Sequence, residues 1–262
     1  MDFGLKGKKA IVLAASKGLG KAAAEALASE GCALAICARN AEPLQKTARA
    51  INKRYQIPVI TGTVDIHDKT NLESFLEESI GKMGGVDILV TNAGGPPVKG
   101  FEETTDEEWA YWYEITFMGV VRSIRKVLPQ MKKQKFGRII NITSISVKAP
   151  VERLIYSNAL RLAVVGLAKS LSAELGPLGI TVNNVAPGYH LTDGLERIVR
   201  KRVEGGESRE TVFAQWENKI PMRRIGRPED LAFLIAFLAS ERASYITGTT
   251  IQVDGGLYSG TL

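Results

Sequence analysis

Seven short apolar runs alternate with longer amphipathic stretches, and this alternation restricts the fold more than any other feature of the sequence. The apolar runs have the length and β-branched content of strands. They cover residues 9–14, 33–38, 58–63, 87–92, 137–143, 180–186 and 249–254. The main helical segments between them are 18–30, 42–54, 69–83, 106–134, 156–175 and 228–240. The pattern predicts an α/β fold, a doubly wound parallel seven-stranded sheet flanked by helices on both faces.

No linker, repeat or low-complexity segment divides the 262 residues, so we expect a single domain over 1–262. One connection, 189–226, is long for its place between the sixth and seventh strands. Long ordered insertions on α/β scaffolds are usually binding loops, because the scaffold holds them at the rim of the site. We therefore expect 189–226 to form a substrate cap, which would present Tyr189, Phe213 and Trp216 together with several charges.

Charge and hydropathy argue against two classes of protein. No apolar stretch approaches the length of a membrane span, and the N-terminal residues lack the pattern of a cleaved leader. We expect a cytoplasmic protein without a membrane partner. The net charge is +6, but its cations are dispersed in short clusters such as 197–202, which argues against nucleic-acid binding. A basic surface suits an anionic cofactor or an acidic carrier protein.

The cysteines and histidines do not suggest a metal site. Cys32 and Cys37 are five residues apart in a segment that reads as a buried strand, so their side chains should leave opposite faces. That arrangement disfavours a mutual disulfide or a shared metal ion. His67 and His190 are the two histidines, and we expect no metal ligand cluster.

A glycine turn follows the first strand and opens an alanine-rich helix, with Gly18 and Gly20 at the helix start. Glycines at such a turn let the backbone approach a pyrophosphate, and the free N–H groups of the first helical turn stabilise its charge. The order of strand, glycine turn and helix is that of a Rossmann-type dinucleotide site.

At this turn the sequence resembles the short-chain dehydrogenase/reductase family, with Leu13 and Ala14 in place of the usual threonine and first glycine. Segments 64–66, 91–95, 186–193 and the closing 226–256 match further family motifs, in a manner similar to 3-oxoacyl-(acyl-carrier-protein) reductases and related sugar or steroid dehydrogenases. The resemblance implies a cofactor-binding set. Its members are Ala14, Ser16, Lys17, Gly18, Leu19, Gly20, Arg39, Asp65, Ile66, Asn92, Ala93, Gly94, Arg161, Pro187, Gly188 and Thr192.

The end of the second strand predicts which nicotinamide cofactor is preferred. An acidic residue there would bind the adenosine ribose of NAD(H) and repel the additional phosphate of NADP(H). This chain has Ala38 at that position, Arg39 beside it and Lys17 in the glycine turn. We therefore predict NADP(H) over NAD(H). The alternative is that both cations are solvated surface residues.

Family members use a serine, a tyrosine and a lysine four residues further, with an asparagine on the preceding long helix. A phenol near an amine has a lowered pKa and can exchange a proton with a carbonyl oxygen that the serine orients. Counting back from Gly166 and forward from Ser144 both place Ser157 in the tyrosine position. Arg161 then occupies the lysine position, and Thr116 the asparagine position.

Tyr156 is displaced by one residue from the tyrosine position and lies five residues before Arg161, about 140° away on a regular helix. Three interpretations stay open. An irregular helix start turns Tyr156 into the site; or Tyr189, His190 or Tyr113 is the acid; or the protein binds a nucleotide or ligand without turnover.

Our working hypothesis is an NADP(H)-dependent oxidoreductase that reduces a carbonyl or oxidises a secondary alcohol, 3-oxoacyl compounds included. Ser144 would orient the oxygen, Tyr156 is the first choice of proton donor with Ser157 beside it, and Arg161 is the cofactor-side cation. The alternative is a catalytically silent nucleotide-binding sensor, scaffold or oligomer partner. The resemblance also implies a homotetramer with helices 106–134 and 156–175 and the segment 253–262 at its interfaces, and an acyl carrier protein as a further candidate partner.

Overall fold

The computed structural model describes residues 2–261, so Met1 and Leu262 of the expected domain lie outside the described part. Seven parallel strands form one sheet in the order β3-β2-β1-β4-β5-β6-β7. The strands are β1 (Lys9–Val12), β2 (Ala33–Ala38), β3 (Val59–Thr63), β4 (Ile88–Thr91), β5 (Gly137–Ile142), β6 (Ile180–Pro187) and β7 (Thr250–Val253). The predicted doubly wound sheet is confirmed.

The predicted helices are present, and the cap segment adds two more. They are α1 (Gly18–Ser29), α2 (Ala41–Tyr55), α3 (Lys69–Met83), α4 (Asp106–Tyr113), α5 (Gly119–Gln134), α6 (Ile155–Leu175), α7 (Asp193–Glu204), α8 (Arg209–Lys219) and α9 (Pro228–Ala239). A π-helical turn, Glu114–Met118, joins α4 to α5, so the segment predicted as one helix over 106–134 contains a wider turn. Within residues 2–261, no helix is long and apolar enough to span a bilayer.

Each face of the sheet carries its own apolar cluster, because alternate residues of a strand point to opposite faces. In β1, Ala10 and Val12 pack toward α1 and α9, whereas Ile11 packs toward α3, α5 and α6. Cys32 belongs to the first cluster and Cys37 to the second, as their spacing predicted. Burial raises the pKa of both thiols to about 12.

The strand order reverses direction at β1, which pairs with β2 on one side and β4 on the other. Helices therefore leave the carboxyl ends of these strands toward opposite faces of the sheet. This reversal opens a crevice at the carboxyl edge, which is where doubly wound sheets bind ligands.

The segment 189–226, which we call the cap, has a small core of its own. Helices α7 and α8 pack through Leu195, Val199, Val212 and Trp216, with Tyr189 and Phe213 against them. At the base of the cap, the N–H of Gly226 donates to the carbonyl of Tyr189 at 3.0 Å, and the N–H of Leu191 donates to the carbonyl of Gly226 at 2.9 Å. These bonds join the two ends of the cap.

Candidate active site

A cleft of about 510 Å³ opens at the carboxyl ends of β1, β2 and β4, and we call it the cofactor cleft. Most of the expected cofactor residues line it. They are Ala14, Ser16, Lys17, Gly18, Leu19, Arg39, Asp65, Ile66, Asn92, Ala93, Gly94, Arg161 and Thr192. The topology thus brings together residues from six separate segments of the chain.

The glycine turn keeps a shape that admits a pyrophosphate at the start of α1. Gly18 has φ +58°, a conformation that favours glycine. Gly20 lies behind the cleft surface. Any other residue at this position would place its Cβ 2.5 Å from the Ala14 carbonyl oxygen and 2.7 Å from Asn92 Nδ2. Asn92 Nδ2 donates to that carbonyl at 3.2 Å. Ala14 adopts φ 50°, a left-handed backbone conformation that favours glycine.

The charges of the cofactor cleft fit an anionic nucleotide. Arg39 is exposed beyond the end of β2 and has no ion pair among the described residues. Lys17 Nζ is 2.8 Å from Asp193 Oδ2, at the start of the cap, and both side chains are more than half exposed. The side chains and the turn therefore fit NADP(H), with Arg39 as the cation free to meet an additional phosphate.

A second cleft of about 970 Å³, which we call the substrate cleft, lies between the cap, α4 and the start of α6. It joins the cofactor cleft at Arg161, Thr143, Trp112 and Thr192, which line both. Pro187 and Gly188 line the substrate cleft rather than the cofactor cleft. A ligand in the substrate cleft can therefore reach one in the cofactor cleft near Arg161.

The substrate cleft is lined by three of the candidate catalytic residues, Ser144, Ser157 and Arg161. The N–H of Ser146 donates to Ser144 Oγ at 3.1 Å, which leaves the hydroxyl proton of Ser144 free to donate. Ser157 Oγ is 3.1 Å from Ser146 Oγ. Two hydroxyls thus border the position where the clefts meet.

Arg161 places a positive charge on the wall of the substrate cleft, and no acidic side chain among the described residues forms an ion pair with it. Its Nη1 donates to the Ile142 carbonyl at 3.0 Å, and it has no ion pair within the described chain. Burial lowers the pKa of Arg161 to about 10, which still leaves it charged at neutral pH. A partly buried guanidinium with spare donors is suited to ribose hydroxyls or a developing negative charge.

Tyr156 does not reach the substrate cleft, contrary to our expectation. Helix α6 begins regularly at Ile155, so Tyr156 turns away from Ser157 and is fully buried. Its ring packs edge-on against Trp109 at 4.7 Å, and its hydroxyl donates to Glu108 Oε2 at 2.7 Å. Burial and the bond to Glu108 raise the pKa of Tyr156 to about 12. This position is that of a packing residue, and it overturns the first choice of proton donor.

Of the other candidate acids, two line the cleft and one does not. Tyr189 is stacked on Trp216 with ring centres 5.0 Å apart, and burial raises its pKa. His190 is 4% exposed; burial lowers its pKa, and its Nε2 has no hydrogen-bond partner among the described residues. Tyr113 is 41% exposed and stacks on Phe117, outside both clefts.

Thr116, in the asparagine position, lies on the π-helical turn between α4 and α5. Such turns are frequent at functional sites because they redirect side chains. Thr116 is 3% exposed, and its hydroxyl has no hydrogen-bond partner within the described residues. It shares a small void of about 10 Å³ with Arg161.

Sequence reasoning missed several residues of the substrate cleft. Glu108 lines it from α4 and is held by Lys99, whose Nζ is 2.5 Å from Glu108 Oε1. The bonds from Lys99 and Tyr156 lower the pKa of Glu108. Arg197 and Lys201 line it from α7, and their spacing of four within the basic cluster 197–202 was a signal of a shared helix face.

Comparisons with known proteins agree with this geometry. The family model described as enoyl-(acyl carrier protein) reductase matches residues 13–258. The 3-oxoacyl-(acyl-carrier-protein) reductase of Haemophilus influenzae is 36% identical over 254 residues, covering 97% of this chain and 99% of that protein.

Two solved structures extend the likeness to the fold. The L-sorbose reductase of Gluconobacter frateurii, complexed with NADPH and L-sorbose, is 31% identical, covers 98% of both chains and has a TM-score of 0.94. An actinorhodin polyketide ketoreductase variant with NADPH is 31% identical, covers 96% of this chain and 97% of that chain, and has a TM-score of 0.90. The crevice, the two joined clefts and these matches establish that the chain belongs to the short-chain dehydrogenase/reductase family of oxidoreductases.

Proposed function

We propose that the protein is an NADPH-dependent carbonyl reductase whose proton relay differs from that of its relatives. The observation that carries the proposal is the junction of the two clefts at Arg161, with the Ser144 and Ser157 hydroxyls on the adjoining wall. The sugar and polyketide reductases with NADPH support a carbonyl substrate. The reverse reaction, oxidation of a secondary alcohol, would use the same groups.

The cofactor preference rests on the end of β2. Ala38 offers no carboxylate to an adenosine ribose, and Arg39 is free to form charge-assisted bonds with a 2′-phosphate. NADP(H) is therefore the proposed cofactor over NAD(H). Lys17 would contribute after its ammonium group leaves Asp193.

The chain's own residues would stabilise the charge that develops on the substrate oxygen. The bound nicotinamide would supply a hydride. Ser144 and Ser157 would donate hydrogen bonds to the carbonyl oxygen, and the Arg161 cation would lower the energy of the alkoxide and hold the nicotinamide ribose. An aliphatic alkoxide is basic enough to take its proton from water, so no phenol is required, but the rate enhancement of a placed acid is lost.

The larger assembly is also a proposal. Leu162 on α6, Phe233 on α9 and Tyr245 before β7 are exposed large apolar residues, which supports contacts between copies of the chain. The homotetramer, the single-domain organisation, the cytoplasmic location and an acyl carrier protein as partner remain predictions. Sedimentation velocity would measure the oligomeric state.

The test is NADPH oxidation against a panel of ketones, sugars and 3-oxoacyl thioesters, together with nucleotide titration by intrinsic fluorescence. We expect turnover, and a loss of about 10- to 100-fold in kcat for Ser144→Ala, since an oxyanion donor contributes on this scale or above. NADPH binding without turnover on any compound would overturn the enzyme proposal and favour the silent nucleotide-binding alternative.

A further inference from the structure

The cap presents two cations to the substrate cleft from one face of a helix. Arg197 and Lys201 are four residues apart on α7, and both line the cleft together with Gly194 and Ile198 of the same helix. Arg197 also borders the cofactor cleft, whereas Lys201 lies one turn further from it. The basic face thus runs outward from the junction of the two clefts.

Neither cation is balanced by an acid. Three of the six carboxylates of the cap pair with other cations: Asp193 with Lys17, Glu196 with Arg209, and Glu207 with Arg202. Among the described residues, Arg197 and Lys201 have no carboxylate within 4.0 Å. The folded cap therefore keeps two positive charges available on the wall of a cavity.

The opposite wall has the reverse charge. Glu107 and Glu108 line it from α4, and Glu108 is already held by Lys99. A negatively charged ligand group would be repelled from Glu107 and attracted to α7, so the cleft itself fixes the orientation of an anion.

Apolar side chains cover much of the remaining wall. Val98, Ile145, Val151 and Leu154 lie on the sheet side, and Leu195 and Ile198 lie on the cap. Burying hydrocarbon against such a surface is favourable by about 25 cal/mol per Å². The substrate cleft thus combines an apolar surface with an unpaired basic face.

We propose that the substrate is an amphipathic anion, an apolar chain carrying a carboxylate or phosphate that Arg197 and Lys201 bind. The apolar chain lies against Val151 and Leu154, and the anionic group lies on α7. The inference that this substrate also carries a reducible carbonyl rests on the proposed reductase function. The anion site itself does not, because binding requires no turnover.

Isothermal titration with the full-length protein tests the site, using octanoate, octyl phosphate and octanamide as probes with eight carbon atoms each. We expect octanoate or octyl phosphate to bind at least about tenfold more tightly than octanamide, as charge-assisted bonds are about twice as strong as neutral ones. Arg197→Gln and Lys201→Gln should each weaken the anion by about three- to tenfold without affecting the amide. The tighter of the two anions identifies the head group.

Arg200→Gln is the matched control, since Arg200 is exposed on the same helix and lines neither cleft. We expect it to leave octanoate affinity unchanged. Equal affinity for octanoate and octanamide would overturn the proposal, because the cleft would then not recognise the anionic group. An equal loss in Arg200→Gln would also overturn it, because only the net charge of the protein would then matter.

A second arm repeats the titration with NADP⁺ at saturation. We expect the anions still to bind, and abolition of their binding would overturn the proposal, because Arg197 would then belong to the cofactor. Selective anion binding without NADPH oxidation would leave the site intact and reject only the reductase function.

Discussion

The glycine turn of the cofactor cleft and the face of α6 that lines the substrate cleft differ in which atoms would carry their proposed roles. At the glycine turn, the proposed contact with a pyrophosphate depends on the course of the backbone, and Ala14 has a left-handed backbone with φ 50°. On α6, the proposed catalytic contacts depend on the side chains of Ser157 and Arg161, which line the substrate cleft. A substitution can therefore leave the backbone of the turn unchanged and still alter the chemistry proposed for α6.

Restoring the family pair tests this contrast with the largest expected effect. The double variant Ser157→Tyr/Arg161→Lys should raise kcat for NADPH oxidation by about 100-fold, because a placed general acid contributes about 10²- to 10⁴-fold. Ser157 lies on the wall of the 970 Å³ substrate cleft, which is where the phenol would be needed. Nucleotide affinity should stay within about threefold of the wild type, since the remaining cofactor-cleft residues are untouched.

The control for that variant is Ser157→Phe/Arg161→Lys, which has the same bulk without a hydroxyl and should show no gain. If the tyrosine variant binds NADPH and gains nothing over the phenylalanine control, the clefts do not align a carbonyl with the nicotinamide.

The role proposed for Arg39 in binding the cofactor can be tested without any change to α6. Arg39→Ala should weaken NADP⁺ by about tenfold and change NAD⁺ by less than about twofold, because the charge-assisted bonds to the 2′-phosphate are lost. Fluorescence titration with both nucleotides measures this. Arg49→Ala, at an exposed position of α2 outside the cleft, is the matched control. Tighter binding of NAD⁺ than NADP⁺ to the wild type would contradict the preference.

Tyr156→Phe should affect stability rather than chemistry. Losing the bond to Glu108 should lower Tm by about 2–4 °C, with kcat changed by less than about twofold. A fall in kcat without a change in Tm would reinstate Tyr156 as a proton donor.

The pH dependence gives an independent check on Tyr156. Its pKa is raised from 10.0 to about 12 in the folded protein, so its contribution is fully present below pH 10 and is lost as the pH rises toward 12. The difference in unfolding free energy between wild type and Tyr156→Phe should shrink over that window in chemical denaturation. A constant difference up to pH 12 would contradict the assigned environment.

The contrast also explains what could be predicted from the sequence. Strand length and the glycine turn are local patterns, so the sheet and most of the cofactor cleft could be predicted. Because a helix has a fixed period, a spacing of four predicted that Ser157 and Arg161 share one face of α6, and both line the substrate cleft. The hydrogen bond from Tyr156 to Glu108 joins residues that are 48 positions apart in the sequence. Arg197 has no ion pair among the described residues, and the adjacent Glu196 is paired with Arg209 instead. No local pattern encodes those pairings.

The smallest predicted effect concerns Ala14. A left-handed backbone costs an L-residue about 1–2 kcal/mol, and the added freedom of glycine in the unfolded chain offsets about 0.4–1 kcal/mol. Ala14→Gly should therefore stabilise the fold by about 0.5–1 kcal/mol in chemical denaturation. Lys135→Gly, at φ 53° beyond the end of α5, should give a similar gain far from the cofactor cleft.

The two variants differ in what they should do to nucleotide binding. Ala14 borders the cofactor cleft and Lys135 does not, so Ala14→Gly alone should tighten NADP⁺, by no more than about threefold. A gain well above that would mean that the methyl group obstructs the pyrophosphate, and the cofactor cleft would then be as impaired as the catalytic face of α6. An unchanged NADP⁺ affinity together with increased stability would mean that Ala14 lowers only the stability of the fold, through its backbone conformation, and does not hinder nucleotide binding.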